Sequence, residues 1–274
     1  MKTRKIRLRR SQRLGLRRSQ RPSQSLSESQ IPIVIISWNC LTFIKKLVDQ
    51  LKRYPNPIIL LDNKSSYKPL LDYYKEIKRE LKDKIEIRLL KENYGSNVYL
   101  KVKGLPKVFI LTDPDIEINE NMPLNFAEIM LGLSNKYKVY KVGLALDLKD
   151  KADFIRCGEE GNPLYEYQLK YWRDRIASDY ELYHAPVDTT FCLVNSKYKE
   201  DNPTMPAIRI AGDFTARHLP WYKETLRAMP IDELNMFLDN NKSSTLVRKC
   251  IRPMLGAKRQ GSKITISDQN NIFS

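Results

Sequence analysis

The 274-residue sequence has no apolar run near the ~18 residues a membrane span requires. Its densest stretch, Ile31 to Ile36, is the length of a strand. No Gly-x-Gly-x-x-Gly follows that stretch and no Gly-x-x-x-x-Gly-Lys-Ser/Thr occurs, which disfavours a dinucleotide-dependent dehydrogenase and a P-loop kinase. Cysteine is scarce: Cys40, Cys157, Cys192 and Cys250 lie far apart without a Cys-x-x-Cys pair. That spacing argues against a zinc knuckle and a disulfide framework, and it suits a reducing compartment. Histidine is scarcer, with only His184 and His218. What remains, 42% hydrophobic and 29% charged residues, excludes wholesale disorder and collagen-like or coiled-coil structure. The length suits one generous α/β domain or two small ones.

Acidic residues are nearly missing from the first thirty positions. The whole chain carries a net charge of +16, of which residues 1–30 supply +9, with Glu28 their single acid. The other 244 residues are only mildly basic at +7. Within the tail, Leu8-Arg9-Arg10-Ser11-Gln12-Arg13 recurs as Leu16-Arg17-Arg18-Ser19-Gln20-Arg21. So charged a segment, so poor in bulky apolar residues, cannot repay its ordering entropy, and it is expected to be disordered. It reads as a solvated tail, a nucleic-acid-binding arm, an anchor to an anionic membrane surface, or an organelle import signal. A secretory signal is excluded, because no apolar core follows the charges. Composition divides the chain into the tail 1–30, a domain over 31–241, and a basic, polar extension 242–274 expected to pack loosely.

From Ile31 the pattern becomes that of an α/β sheet. Ile31 to Ile36 is β-rich and apolar on both faces, as a central parallel strand requires. Leu41, Ile44, Leu47, Val48 and Leu51 follow at helical spacing. Then come a buried strand over Ile58 to Asp62, a helix over Tyr67 to Leu81, an alternating strand over Ile85 to Leu90, and a fourth strand over Lys107 to Leu111. This order predicts a doubly wound, mostly parallel sheet, with ligands held beyond the strands' C-terminal ends.

Three polar clusters stand at those ends: Ser37-Trp38-Asn39, Asp62-Asn63-Lys64-Ser65-Ser66 and Thr112-Asp113-Pro114-Asp115. Singly, each has a local explanation in helix capping or turn formation. At three successive strand ends they point to one site. Two carboxylates after a buried strand are costly without a cation, and their oxygens suit Mg²⁺ or Mn²⁺ completed by water and a diphosphate.

This ordered set, together with Asn93-Tyr94-Gly95, resembles the GT-A fold glycosyltransferases, close to family 2. Val142-Gly143-Leu144-Ala145-Leu146-Asp147, Asp188-Thr189-Thr190-Phe191 and His218-Leu219-Pro220-Trp221-Tyr222 are similar to later motifs of a small group in that superfamily. The resemblance spans roughly Ile31 to Tyr222. It implies a GT-A sheet with a small C-terminal acceptor-side subregion, and a sugar donor activated as a nucleoside diphosphate, UDP or GDP. On this resemblance Ser37, Trp38, Asn39, Asp62 and Asn63 would hold base and ribose, with Asn93 and Gly95 beside them. Asp113 would contact ribose or metal, Asp115 would bind Mn²⁺ or Mg²⁺, and His218 would approach the metal or the diphosphate.

Glycosyl transfer builds negative charge on the departing diphosphate, which a bound cation neutralises. An inverting enzyme also needs a carboxylate to take the acceptor hydroxyl's proton, and Asp188 and Asp213 are the candidates. Asp188 precedes an apolar strand and equally suits a strand-end cap; Asp213 follows Gly212 and suits a turn. Tyr165, Tyr167, Tyr171 and Trp172 form an aromatic stretch that reads as a packed helix face, with Trp172 the candidate for an acceptor groove. The acceptor would be a hydroxyl on a glycan, a glycolipid or a protein, and the place of action cytoplasmic or peripheral to a membrane. A nucleotidyltransferase would carry a glycine-rich, cationic loop after the first strand, which Ser37-Trp38-Asn39-Cys40 lacks. A nucleic-acid or membrane binder without activity would act through residues 1–30.

Overall fold

The computed structural model describes residues 30–157, 163–241, 244–260 and 263–266. The expectation of a disordered tail thus lies almost wholly outside the described residues. In chain order the elements are β1 (Ile33–Ser37), α1 (Leu41–Leu51), β2 (Ile58–Asp62), α2 (Lys68–Leu81), β3 (Ile85–Leu89), β4 (Val108–Thr112) and β5 (Ile116–Ile118). There follow α3 (Phe126–Tyr137), β6 (Lys141–Leu146), α4 (Pro163–Leu169), β7 (Arg175–Ile176), β8 (Leu182–His184), β9 (Cys192–Asn195) and β10 (Ala207–His218). Helices α5 (Lys223–Arg227) and α6 (Ile231–Asn240) close the sheet domain.

The strands form one ten-stranded sheet in the order β3-β2-β1-β4-β9-β6-β10-β8-β7, with β5 paired to β10. Strands β1, β2, β3, β4, β6, β7 and β10 run in one direction; β5, β8 and β9 oppose them. The sheet is therefore mostly parallel, as its sequence pattern predicts. Strand β9 enters antiparallel between β4 and β6 and brings its preceding loop to the C-terminal ends of both.

Alternation within the strands explains the apolar runs. Ile33, Ile35, Leu60 and Ile110 face a core shared with α1, α2 and α3. Val34, Ile36, Ile59, Leu61, Phe109 and Leu111 face a second core, with Val98 and Tyr99 from a 3₁₀ turn at Ser96–Leu100. A strand buried on both faces has no polar positions to offer. Helix α1 buries Phe43, Ile44, Leu47, Val48 and Leu51, the face that its spacing marks as apolar.

Two expectations need correction. The described part of the stretch after Asn241 is not loosely packed: Val247, Cys250, Ile251, Leu255 and Ile266 are buried in a satellite core with Phe43, Ile155, Leu219 and α6. Its basic residues mask an apolar stripe at helical spacing, which composition alone does not reveal. Nor are all the cysteines unpaired: Cys157 and Cys250, 93 residues apart, form a disulfide, while Cys40 and Cys192 are free and buried. Pairing depends on spatial approach, and sequence spacing does not report it for distant cysteines.

Candidate active site

The parallel ladders align the polar clusters. Register places Ser37 opposite Asp62 at the ends of β1 and β2. Both are buried, and Tyr74 Oη lies 2.8 Å from Ser37 Oγ and from Asp62 Oδ2. The other Asp62 oxygen accepts the Ser65 N–H at 2.7 Å. Burial, then the Asp62 charge, push the Tyr74 phenol well up, so it stays a donor. Asn39, with φ of 50°, turns back so that its Oδ1 accepts the Ser66 and Tyr67 N–H groups at the start of α2. Asn63 accepts from the Tyr94 N–H and donates to the Gly95 carbonyl, tying the Asn93–Gly95 loop to the end of β2.

These loops line a cleft of about 540 Å³ that includes Trp38, Asn39, Asn63, Asn93, Gly95, Asp113, Asp115 and His218. That volume is within the usual range for a small-molecule site, roughly 300–1,000 Å³. Ser37 and Asp62 do not line it; they lie beneath it and brace its floor.

His218 reaches Asp115 through a register effect. Directly after Asp115, β5 pairs antiparallel with the end of β10, setting His218 opposite Ile116. The Leu219 N–H donates to the Asp115 carbonyl at 2.9 Å. His218 Nε2 lies 3.6 Å from Asp115 Oδ2, and the imidazole packs on Trp221 at 4.9 Å between ring centroids. The remaining atoms, Asp115 Oδ1 and His218 Nδ1, are buried without a hydrogen-bond partner among the described residues. Buried polar atoms are normally satisfied, so the pair fits a ligand that accepts oxygen and nitrogen donors, as a divalent transition ion does. Among the described residues, no three His, Cys, Asp or Glu side chains are gathered into a complete cage. A diphosphate and water would have to supply the other ligands.

Asp113 is tied to the loop before β9. Its N–H donates to the Thr189 carbonyl at 3.1 Å, and its Oδ2 accepts the Thr189 hydroxyl at 2.7 Å. Burial, then the Asp115 carboxylate, push Asp113 up to about 8. The same loop is held from below by buried Lys141, whose Nζ donates to the Val187 and Asp188 carbonyls at 3.2 and 2.5 Å. Arg209 donates to the Pro186 carbonyl through Nε and Nη2. Gly143 allows Val187 to sit against β6: a Cβ there would lie 2.6 Å from Val187 Cγ1.

Asp188 is thereby delivered beside Asp113, with its side chain still accessible, although it is not itself among the residues that line the cleft. Crowding by protein atoms alone would raise its carboxyl. Hydrogen bonds from the Thr190 hydroxyl and N–H, with Arg209 and His218 nearby, instead hold it below its ordinary value. Asp213 is elsewhere. It stands exposed on a bulge between Ile210 and Thr215 that interrupts the β6–β10 ladder, next to Gly212 with φ of 67°, and it does not line the cleft.

Two solved glycosyltransferases resemble this chain. One is the mannosyltransferase PcManGT from Pyrobaculum calidifontis in complex with GDP-Man and Mn²⁺, at 12% identity and a TM-score of 0.37, covering 61% of this chain and 44% of the other. The second is GalNAc-T7 with UDP, GalNAc and Mn²⁺, at 11% identity and a TM-score of 0.44, covering 78% and 48%. The chain thus spans less than half the length of either protein. No family model and no curated protein sequence matches it.

One wall of the cleft escapes the motif reading. Phe237, Asn240, Asn241, Ser244, Leu246 and Val247 face Trp38 and the Asp113–Asp115 turn across it. These residues carry no spacing signature; they arrive because α6 docks on α1. Glu233 of α6, wholly buried, accepts the Thr42 N–H and the Thr42 hydroxyl, each at 2.8 Å, at the N-terminus of α1. Thr189 and Lys141 were also missed as functional residues. The Asp-Thr-Thr-Phe motif signalled the first, whereas only the three-dimensional path of β9 signals the second.

Proposed function

We propose that this chain is a metal-dependent glycosyltransferase of GT-A type that moves a sugar from a nucleoside-diphosphate donor to a hydroxyl acceptor. The observation that carries the reading is the meeting of Asp115 and His218 at the rim of a nucleotide-sized cleft, each keeping one buried ligand atom unpartnered. In this reading Trp38, Asn39 and Asn63 receive the base and ribose with Asn93 and Gly95, and Ser37 and Asp62 keep that floor rigid. Asp115, His218 and Asp113 hold Mn²⁺ or Mg²⁺ against the diphosphate. When bound, that cation neutralises the charge that gathers on the leaving diphosphate. Asp188 takes the acceptor's proton: it is ionised at neutral pH, accessible, and anchored beside Asp113 through Thr189. Asp213, exposed on the β10 bulge with no tie to Asp113, has the weaker claim to that role.

Among the described residues no helix is long and apolar enough to cross a membrane. The cytoplasmic setting expected from the sequence and the Cys157–Cys250 bond pull in opposite directions. Any nucleic-acid or anionic-membrane association belongs to residues 1–30. Deleting that tail is expected to abolish salt-dependent association while leaving turnover unchanged.

Calorimetry of UDP and GDP, with and without Mn²⁺, on the wild type and Asp115→Ala tests the reading. Binding of one nucleotide that needs both the metal and Asp115 is expected. A folded protein that binds neither nucleotide refutes it.

A further inference from the structure

A second cavity, of about 420 Å³, opens on the same edge of the sheet. Leu169 and Trp172, from the end of α4 and the 3₁₀ turn after it, form one side; Gly212 and Thr215 of the β10 bulge form another; Asp147 and Glu181 stand at its margin. We infer that this cavity is a saccharide subsite that holds the acceptor, with Trp172 as its platform. The inference rests on the glycosyltransferase reading and extends it to the substrate class on the acceptor side.

Four observations carry it. First, the lining has the composition a sugar requires. A tryptophan offers an apolar face to the C–H side of a pyranose, and a few polar groups fix orientation. Trp172 is half-buried, with its ring held by Tyr183 at 5.3 Å between centroids. Second, carboxylate oxygens are free for sugar hydroxyls. One Glu181 oxygen accepts the Tyr183 hydroxyl at 2.6 Å and one Asp147 oxygen accepts the Lys149 N–H at 2.9 Å. The second oxygen of each has no hydrogen-bond donor among the described residues. Carboxylates accept from hydroxyls in strong, charge-assisted bonds. Third, the charge disfavours an anionic ligand: among the described lining residues the cavity presents the carboxylates of Asp147 and Glu181 and the ammonium of Lys149, with the Lys151 ammonium over the Tyr165 ring. A phosphate site would carry a cationic excess.

Fourth, the sheet order sets the cavity next to the donor cleft, on the far side of the Asp188 loop. Thr215 lines it and His218 lines the nucleotide cleft, three residues further along the same strand. The sheet order sets the Asp188 loop between the two sites, since β9 lies between β4, which ends at the donor, and β6, which ends at Asp147. The bulge that opens the cavity is built rather than slack: the Gly212 carbonyl accepts the Thr215 hydroxyl at 3.1 Å and the Asn119 side-chain amide at 3.4 Å. Bulges of this kind re-aim a strand next to functional sites.

The test uses saturation-transfer NMR on the full chain with Mn²⁺ and UDP or GDP. The probes are methyl pyranosides of glucose, galactose, mannose, rhamnose, xylose and N-acetylglucosamine at millimolar concentration. At least one is expected to receive saturation, with the transfer cut about tenfold by Trp172→Ala and largely kept by Trp172→Phe. Glu181→Gln is expected to reduce it about threefold. Nucleotide binding measured in parallel is expected to survive Trp172→Ala, which also shows that the variant is folded, and to be lost in Asp115→Ala. Saturation of no probe in a protein that binds nucleotide overturns the subsite, as does saturation that persists undiminished in Trp172→Ala. Loss of nucleotide binding with saccharide binding intact would instead overturn the donor reading and leave Trp172 as a sugar-binding platform.

Discussion

Thr189 shows how one residue fixes a carboxylate from two sides. It donates to Asp113 Oδ2 while its carbonyl accepts the Asp113 N–H, so the β4 and β9 ends are linked at two points. Thr189→Val leaves a half-buried carboxyl without its donor, and we expect a loss of about 1 kcal/mol in urea denaturation, restored by Thr189→Ser. Equal stability of the valine variant would contradict this. His218 makes the complementary case. Its Nδ1 has no described partner, so His218→Ala removes no protein hydrogen bond at that atom. The variant is therefore expected to fold and yet to weaken Mn²⁺-dependent nucleotide binding by about tenfold or more, read by calorimetry. Unchanged affinity would remove His218 from the metal set.

Helix α1 illustrates how tertiary partners complete an element that cannot cap itself. Its N-cap, Cys40, makes no side-chain cap bond, and no acidic residue lies in its first turn. Glu233 supplies that function from α6, where a carboxylate also complements the helix dipole. At the other end Lys84 Nζ donates to the carbonyls of Leu51, Lys52 and Tyr54 at 3.4, 2.7 and 2.6 Å. Glu233→Ala and Lys84→Ala are each expected to cost about 1–3 kcal/mol in urea denaturation. Their effects on the site should differ. Only Glu233→Ala releases the helix that carries Phe237 and Asn240 into the cleft, so only that variant should weaken nucleotide binding. Equal effects on affinity would show that α1 transmits strain along its length.

At the scale of the whole molecule, the disulfide joins the strand-like segment around Phe154 and Ile155 to the C-terminal wall. Phe154 bridges to Tyr222, and the Ile155 N–H donates to the Trp221 carbonyl, so Cys157 is seated beside the His218–Tyr222 turn. Cys250 lies just beyond Ser244, Leu246 and Val247 of the cleft. Crosslinking residues 93 apart restricts the unfolded chain, so reduction, or Cys157→Ser, is expected to lower stability by roughly 3 kcal/mol. It is also expected to weaken nucleotide binding, since the wall loses a tether. Thiol titration of unfolded, unreduced protein should find two free groups, Cys40 and Cys192. Four would show that the bond does not form.

The local pattern of residues determined β1 to β4, α1, α2 and much of the cleft. Apolar runs bounded by Asn, Asp and Ser marked β1, β2 and β4, and a parallel sheet puts such ends on one edge whatever the remaining topology. Trp38, Asn39, Asn63, Asp113 and Asp115 were legible for that reason, whereas Asn93 and Gly95 were legible only through the resemblance. What only the tertiary structure decided is everything carried by distant pairing. The β5–β10 register sets His218 against Asp115, the antiparallel insertion of β9 brings Asp188 to Asp113, and the docking of α6 on α1 supplies a wall with no motif. Asp213, which sequence ranked beside Asp188, lies on a bulge outside the cleft, and Cys157 meets Cys250 across the satellite core. These contacts depend on which strand neighbours which, a choice made by burial summed over the whole core, and no window of sequence contains that sum.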